Sequence, residues 1–158
     1  MGRYYDTEAG REGKFMFGVQ PSDDPGFMGM QEQEPSTIQY YADKDMEADI
    51  KENLDGQYDL LGVPKNKRIY YCKDLKEYDT YEKKELRDKV FVSVREDDKE
   101  EMEKYKGKTR WSDDKPGHVS FEIGKERKRT LALARIRLGI AILSDIKDTG
   151  ECWLNAEL

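Results

Sequence analysis

Histidine and cysteine are scarce: His118, Cys72 and Cys152 are the whole supply in 158 residues. A structural zinc site draws on about four such ligands, so that chemistry has too few. The cysteines form neither a Cys-x-x-Cys nor a framework of several pairs, which argues against the disulfide-stapled secreted class. Two buried thiols in a reducing cytosol are the expectation. No apolar run approaches the roughly 20 residues of a membrane-spanning helix. The opening MGRYYDTEAGREG lacks the apolar core of a secretory signal. The phosphate-cradling patterns GxGxxG and GxxxxGKS/T do not occur. Repeats and long linkers are absent too, so residues 1–158 read as a single domain.

Charge and tyrosine are what the chain has in quantity. Charged residues make up 39%, with a net charge of −6, and the mean hydropathy is −0.99. Five Phe, two Trp and ten Tyr supply the apolar mass that a disordered polyelectrolyte lacks, so a folded domain is indicated. The charge is segregated. Residues 1–64 carry 5 basic and 14 acidic side chains, whereas residues 104–137 carry 11 basic and 4 acidic. Such blocks either neutralise each other across a surface or attract a partner of opposite sign.

Alternating apolar residues predict strands in GKFMFGVQ (Phe15, Phe17, Val19), STIQYYAD (Ile38, Tyr40, Ala42) and RIYYC (Ile69, Tyr71). The same period marks KVFVSV (Val90, Val92, Val94), HVSFEIG (Val119, Phe121, Ile123) and ECWLNAEL (Cys152, Leu154, Ala156, Leu158). The stretch from Pro21 to Pro35 reads as a surface loop carrying Phe27, Met28 and Met30. Met46, Ile50 and Leu54 mark a short helix, capped by Asp43 or Asp45 and ended by Gly56. Leu75, Tyr78, Glu82 and Leu86 mark another. Residues 96–106 are nearly all charged, a solvated helix or mobile excursion anchored by Met102 and Tyr105.

From Lys125 to Asp148 the chain reads as one helix about 36 Å long. It is apolar on most sides, with a polar stripe of Glu126, Thr130, Arg137, Ser144 and Asp148, and a capping Gly150. The expected fold is α+β: a mostly antiparallel sheet packed on a long, largely buried C-terminal helix.

The two ends carry distinctive runs. At the start they are Gly2-Arg3-Tyr4-Tyr5, Glu12-Gly13-Lys14-Phe15, Phe17-Gly18-Val19-Gln20 and Asp23-Asp24. At the end they are Leu138-Gly139, Thr149-Gly150, Cys152 and Glu157-Leu158. In these runs, about 45 residues in extent, the chain resembles a group of small accessory proteins of phages and other large DNA viruses. Met16 and Trp153 depart from the pattern. The resemblance carries no activity with it. It implies a viral accessory protein in the host cytoplasm, a class that often acts by binding and blocking a host or defence component, anti-CRISPR proteins among them.

No catalytic constellation is recognisable, and no cofactor or metal is expected. The first candidate surface is acidic: Asp23, Asp24, Glu32 and Glu34 on a loop with Phe27 and Met28, suited to a basic site on a host or defence-system protein. The second is basic and aromatic: Lys108, Arg110, Trp111, Lys125, Arg127, Lys128 and Arg129, suited to nucleic acid or a nucleotide. A metal-dependent nuclease is a third reading, with Asp23, Asp24, Glu122 and Lys125 as its pieces. His118 beside Pro116-Gly117 reads as a turn residue, and Arg135 as a buried cation in need of a carboxylate or carbonyl partner, a structural ion pair. The pairs Tyr4-Tyr5, Tyr40-Tyr41 and Tyr70-Tyr71 each send one ring inward and one outward if they lie on strands.

Overall fold

The computed structural model describes residues 3–7, 14–17, 24–32, 39–108, 110–111, 113, 115–123 and 128–157. In chain order, β1 (Arg3–Thr7) and β2 (Lys14–Phe17) pair antiparallel, followed by α1 (Asp24–Met28), β3 (Gln31–Glu32) and β4 (Gln39–Asp43). A 3-10 turn (Lys44–Met46) leads into α2 (Glu47–Leu61). Then α3 (Leu75–Tyr81) continues through a π-helical turn (Glu82–Leu86) into α4 (Arg87–Val90). After these come β5 (Phe91–Arg95), α5 (Lys99–Lys104), β6 (Arg110–Trp111), β7 (His118–Glu122), α6 (Lys128–Thr149) and β8 (Glu151–Glu157). The fold is α+β, and every strand pairing among the described residues is antiparallel.

Where one sheet was expected, the strands form two, in the orders β2-β1-β8-β4-β3 and β5-β7-β6. The C-terminal strand β8 is central in the larger sheet, with β1 on one side (Tyr5↔Ala156) and β4 on the other (Tyr40↔Leu154). Alternation behaves as expected on β4 and β8: Tyr40, Ala42, Cys152 and Leu154 are buried, while Tyr41 and Trp153 are half-buried and pack as a tilted pair with ring centroids 4.8 Å apart.

Every residue of α6 from Leu138 to Ile146 is buried. A helix buried all round needs cover on every side. The larger sheet supplies it through β2, β4 and β8, and α1, α2 and α4 supply the rest. Ser144, on the expected polar stripe, is buried, donating to Ile140 O at 2.6 Å and accepting from the Cys72 amide at 2.9 Å. Both cysteines are buried in the core without a disulfide between them.

Other expectations are corrected, each with a local cause. Helix α2 runs through Gly56 because Gln57, Tyr58 and Leu61 continue its buried face. It ends at Gly62, whose φ of 70° is the left-handed cap conformation. RIYYC is not a strand, because side chains satisfy its backbone. The Tyr58 hydroxyl donates to Ile69 O at 2.6 Å and accepts from Ile69 N at 3.3 Å. Arg68 clamps the same segment to α2 through Asp55 (3.0 Å) and Asp59 (2.5 Å), while its Nε donates to Val63 O (3.0 Å) just past the helix end. Val90 closes α4 rather than opening β5. Ile123 lies beyond the end of β7 and is exposed, so only Val119 and Phe121 point inward there. Of the two readings of residues 96–106, the structure bears out the solvated helix: α5 is capped by Asp98, which accepts from Glu101 N at 3.1 Å.

The tightest glycine in the core is Gly139, where a Cβ would lie 2.9 Å from Met28 Cε and 3.3 Å from Leu54 Cδ1. At Gly56, mid-helix in α2, a Cβ would meet nothing within 4 Å. Gly139→Leu is therefore expected to destabilise by about 1–3 kcal/mol through overpacking. Gly56→Ala is expected to stabilise by about 0.5–1 kcal/mol through helix propensity. Urea melts of the two variants check this; the reverse order of stabilities would refute the close packing of α1 and α2 on α6.

Candidate functional site

Two surfaces of opposite charge emerge. On α2, the positions from the capping turn onward that face water include Asp45, Asp49, Glu52, Gly56, Asp59 and Leu60. Their spacing of three and four places them on one face of the helix. Four of the six are carboxylates. Two α2 carboxylates are turned to structural use: Asp59 at the end of the stripe accepts from Arg68, and Asp55 accepts from Arg68 and from the Tyr70 hydroxyl.

Helix α1 is fastened beside α2 by Asn53 Nδ2 donating to Met28 O at 3.0 Å. Phe27 and Leu60 are each 51% exposed, the two most exposed large apolar side chains among the described residues. Arg135 is half-buried beneath Phe27, its guanidinium 3.8 Å from the ring centroid. This cation–π contact holds the ring in place at the surface. An aromatic face is thus among the contacts of Arg135, where a carboxylate or carbonyl was expected.

Of the acidic candidates, Asp23 and Glu34 lie outside the described residues. Asp24 begins α1 and Glu32 ends β3. Phe27 is at the surface as expected. Met28 is not: it is 0% exposed, packed on Gly139 and Leu54, and has no surface to offer a partner. The acidic stripe of α2 was missed in the sequence, although the spacing of Asp45, Asp49, Glu52 and Asp59 was its signal.

The basic candidates separate. Lys108 and Arg110 line a groove of about 520 Å³ between the α5 turn and one face of the smaller sheet. Trp111 follows Arg110 on β6 and so points to the other face, where its ring lies 5.7 Å from Phe91. Arg129 is committed elsewhere, donating to Lys89 O at 2.7 Å and so tying α6 to α4. Lys128 is exposed at the start of α6. Lys125 and Arg127 lie outside the described residues.

The nuclease pieces fare differently again. Glu122 is buried, and its carboxylate accepts from Thr130 N at 3.3 Å, placing a negative charge at the α6 N-terminus where the helix dipole favours one. His118 Nδ1 lies 3.0 Å from Pro116 O, a contact within its own turn. Among the described residues no group of three His, Cys, Asp or Glu is placed to hold a metal ion, and no helix is long and apolar enough to cross a membrane.

On the Trp111 face, Asp113 accepts from Ser93 Oγ (2.6 Å), Ser120 Oγ (3.0 Å) and Lys115 N (2.8 Å). These bonds, led by the one from Ser93, hold its carboxyl below the ordinary aspartate range.

No protein-family model, curated protein or solved structure matches the chain. Its functional reading therefore rests on these two surfaces.

A carboxylate whose folded pKa is depressed stabilises the fold above its unfolded pKa, and that contribution is lost as pH falls through the folded value. The native chain is thus expected to lose protection of the Ser93 and Ser120 amides on acidification below about pH 4. Asp113→Asn should show weaker protection at neutral pH and little further change on acidification. Hydrogen exchange followed across pH checks both; equal acid sensitivity in the two proteins would refute the role given to Asp113.

Proposed function

We propose that this chain is a non-catalytic accessory protein, of the viral kind its two ends resemble. It acts by docking an acidic face on a basic site of a host macromolecule, as an inhibitor of a nucleic-acid-directed defence complex would. The observation that carries this reading is the α2 stripe, in which Asp45, Asp49 and Glu52 share one face with Leu60 while the neighbouring helix presents Phe27. Carboxylates spaced along a helix complement the cations that line a nucleic-acid channel, and they speed encounter with it. An exposed aromatic ring supplies the apolar anchor that charge alone does not. With a net charge of only −6 over 158 residues, the mimicry is confined to a patch.

Such a blocker works by occupancy. Inhibition of the target complex is expected to rise linearly with added protein and to be complete near one equivalent. Asp49→Lys with Glu52→Lys is expected to weaken it by roughly tenfold or more at low salt, with an unchanged circular-dichroism spectrum. Both replaced side chains are exposed and make no described structural contact. Titration against the complex recovered by affinity purification checks this. Inhibition at a small fraction of one equivalent, or full potency in the reversed-charge variant, would overturn it.

A further inference from the structure

We propose a second binding site, independent of the acidic face: the groove on the smaller sheet takes a nucleotide unit, its base on Tyr105 and its phosphate on Lys108 and Arg110. The sheet β5-β7-β6 has a small core of its own in Val94, Val119 and Phe121, covered by Met102 and Tyr105 from the α5 segment. Tyr105 lies parallel to Phe121, with centroids 5.1 Å apart and 10° between the ring planes. Phe121 thus fixes one face of the Tyr105 ring, and the half-buried ring lines the groove. A preset aromatic plane at the edge of a groove is the element on which bases stack without sequence preference.

The charges around it fit a phosphate. Lys99, Lys106, Lys108 and Arg110 line the groove against two carboxylates, Glu96 and Glu103. Register places Arg110 opposite Phe121, on the same face of the sheet as the stacked rings. Arg110 is exposed and lines the groove, which puts its fork of donors within reach of a phosphate there. Glu103 sits 3.9 Å from Lys106, and both are more than 70% exposed, so a phosphate can displace that pair at small cost.

The groove is therefore a local excess of positive charge on a chain of net charge −6. That excess favours one or two phosphates and disfavours a long polyanion. An acidic peptide would meet the cations but would leave the Tyr105 ring unused, so the nucleotide is preferred. The nucleotide can come free or within a single strand, and the two sources share this chemistry.

The test is fluorescence anisotropy of a short labelled oligothymidylate with the full chain at low salt. Saturable binding is expected, falling with salt at a log–log slope of about −1.4 for two contacted phosphates. Lys108→Glu with Arg110→Glu should weaken it at least roughly tenfold. Lys65→Glu with Lys67→Glu, on an exposed turn outside the groove, should leave it unchanged. Tyr105→Phe should retain binding, and Tyr105→Ser should lose it even where the spectrum shows the fold intact.

Displacement of the label by thymidine monophosphate identifies a free-nucleotide site; binding of the oligomer without such displacement identifies a single-strand site. Absence of binding to both probes, indifference to the Lys108 and Arg110 reversal, or equal displacement by polyglutamate would overturn the proposal. None of these results touches the α2 face, whose charge reversals should leave oligothymidylate binding intact.

Discussion

The unbroken burial of α6 from Leu138 to Ile146 sets the demands that the rest of the chain meets. Each fully buried Leu or Ile there contributes about 1.5–3 kcal/mol, but only if something dry lies against it. No single layer can cover a helix on all sides. The larger sheet takes one side, with β8 at its centre, and α2 takes another at the close contact that Gly139 allows with Leu54. The polar residues of the helix follow from the same constraint. Ser144 returns its hydroxyl to Ile140 O and steadies the Cys72 amide, and Arg129 ties the first turn to Lys89. These bonds serve cohesion, in keeping with the cost of leaving a buried donor or acceptor unmatched.

With the interior committed in this way, the surfaces are left to carry charge. The acidic block does not spread evenly. Part of it is used inside the structure, where Asp55 and Asp59 hold Arg68 and so fasten the 63–72 segment to α2. The remainder is displayed along the solvent face of α2. The basic block divides more sharply. Strand alternation sends Arg110 and Trp111 to opposite faces of the smaller sheet, so residues adjacent in sequence belong to different environments. A run of cations in sequence thus becomes a groove, a helix tie and a solvated end.

Much of the fold was legible because periodicity reports burial directly. The central helix, its Gly150 cap, the alternation of Tyr40 with Ala42 and of Cys152 with Leu154, and the α+β class all follow from patterns spanning many residues. Met28 was not legible: on a polar, Gly- and Pro-rich stretch its side chain has no periodic neighbours, and only the space above Gly139 draws it into the core. RIYYC failed for a related reason. It has the composition of a strand, but its backbone partners are the Tyr58 and Ser144 side chains, supplied from residues distant in sequence.

The sequence by itself determined the α+β class, the place of the long C-terminal helix and that it must be enclosed, and that charge of each sign is concentrated in a different part of the chain. These are properties of spacing and composition, and local physics suffices to read them. Tertiary structure alone decided that the strands divide into two sheets, that the Phe27 ring lies over Arg135, that Glu122 caps α6, and that Lys108 and Arg110 share a groove with the Tyr105–Phe121 stack. Each of these depends on which distant segment arrives at a given face. That is set by the mutual packing of whole elements, and no window of neighbouring residues contains it.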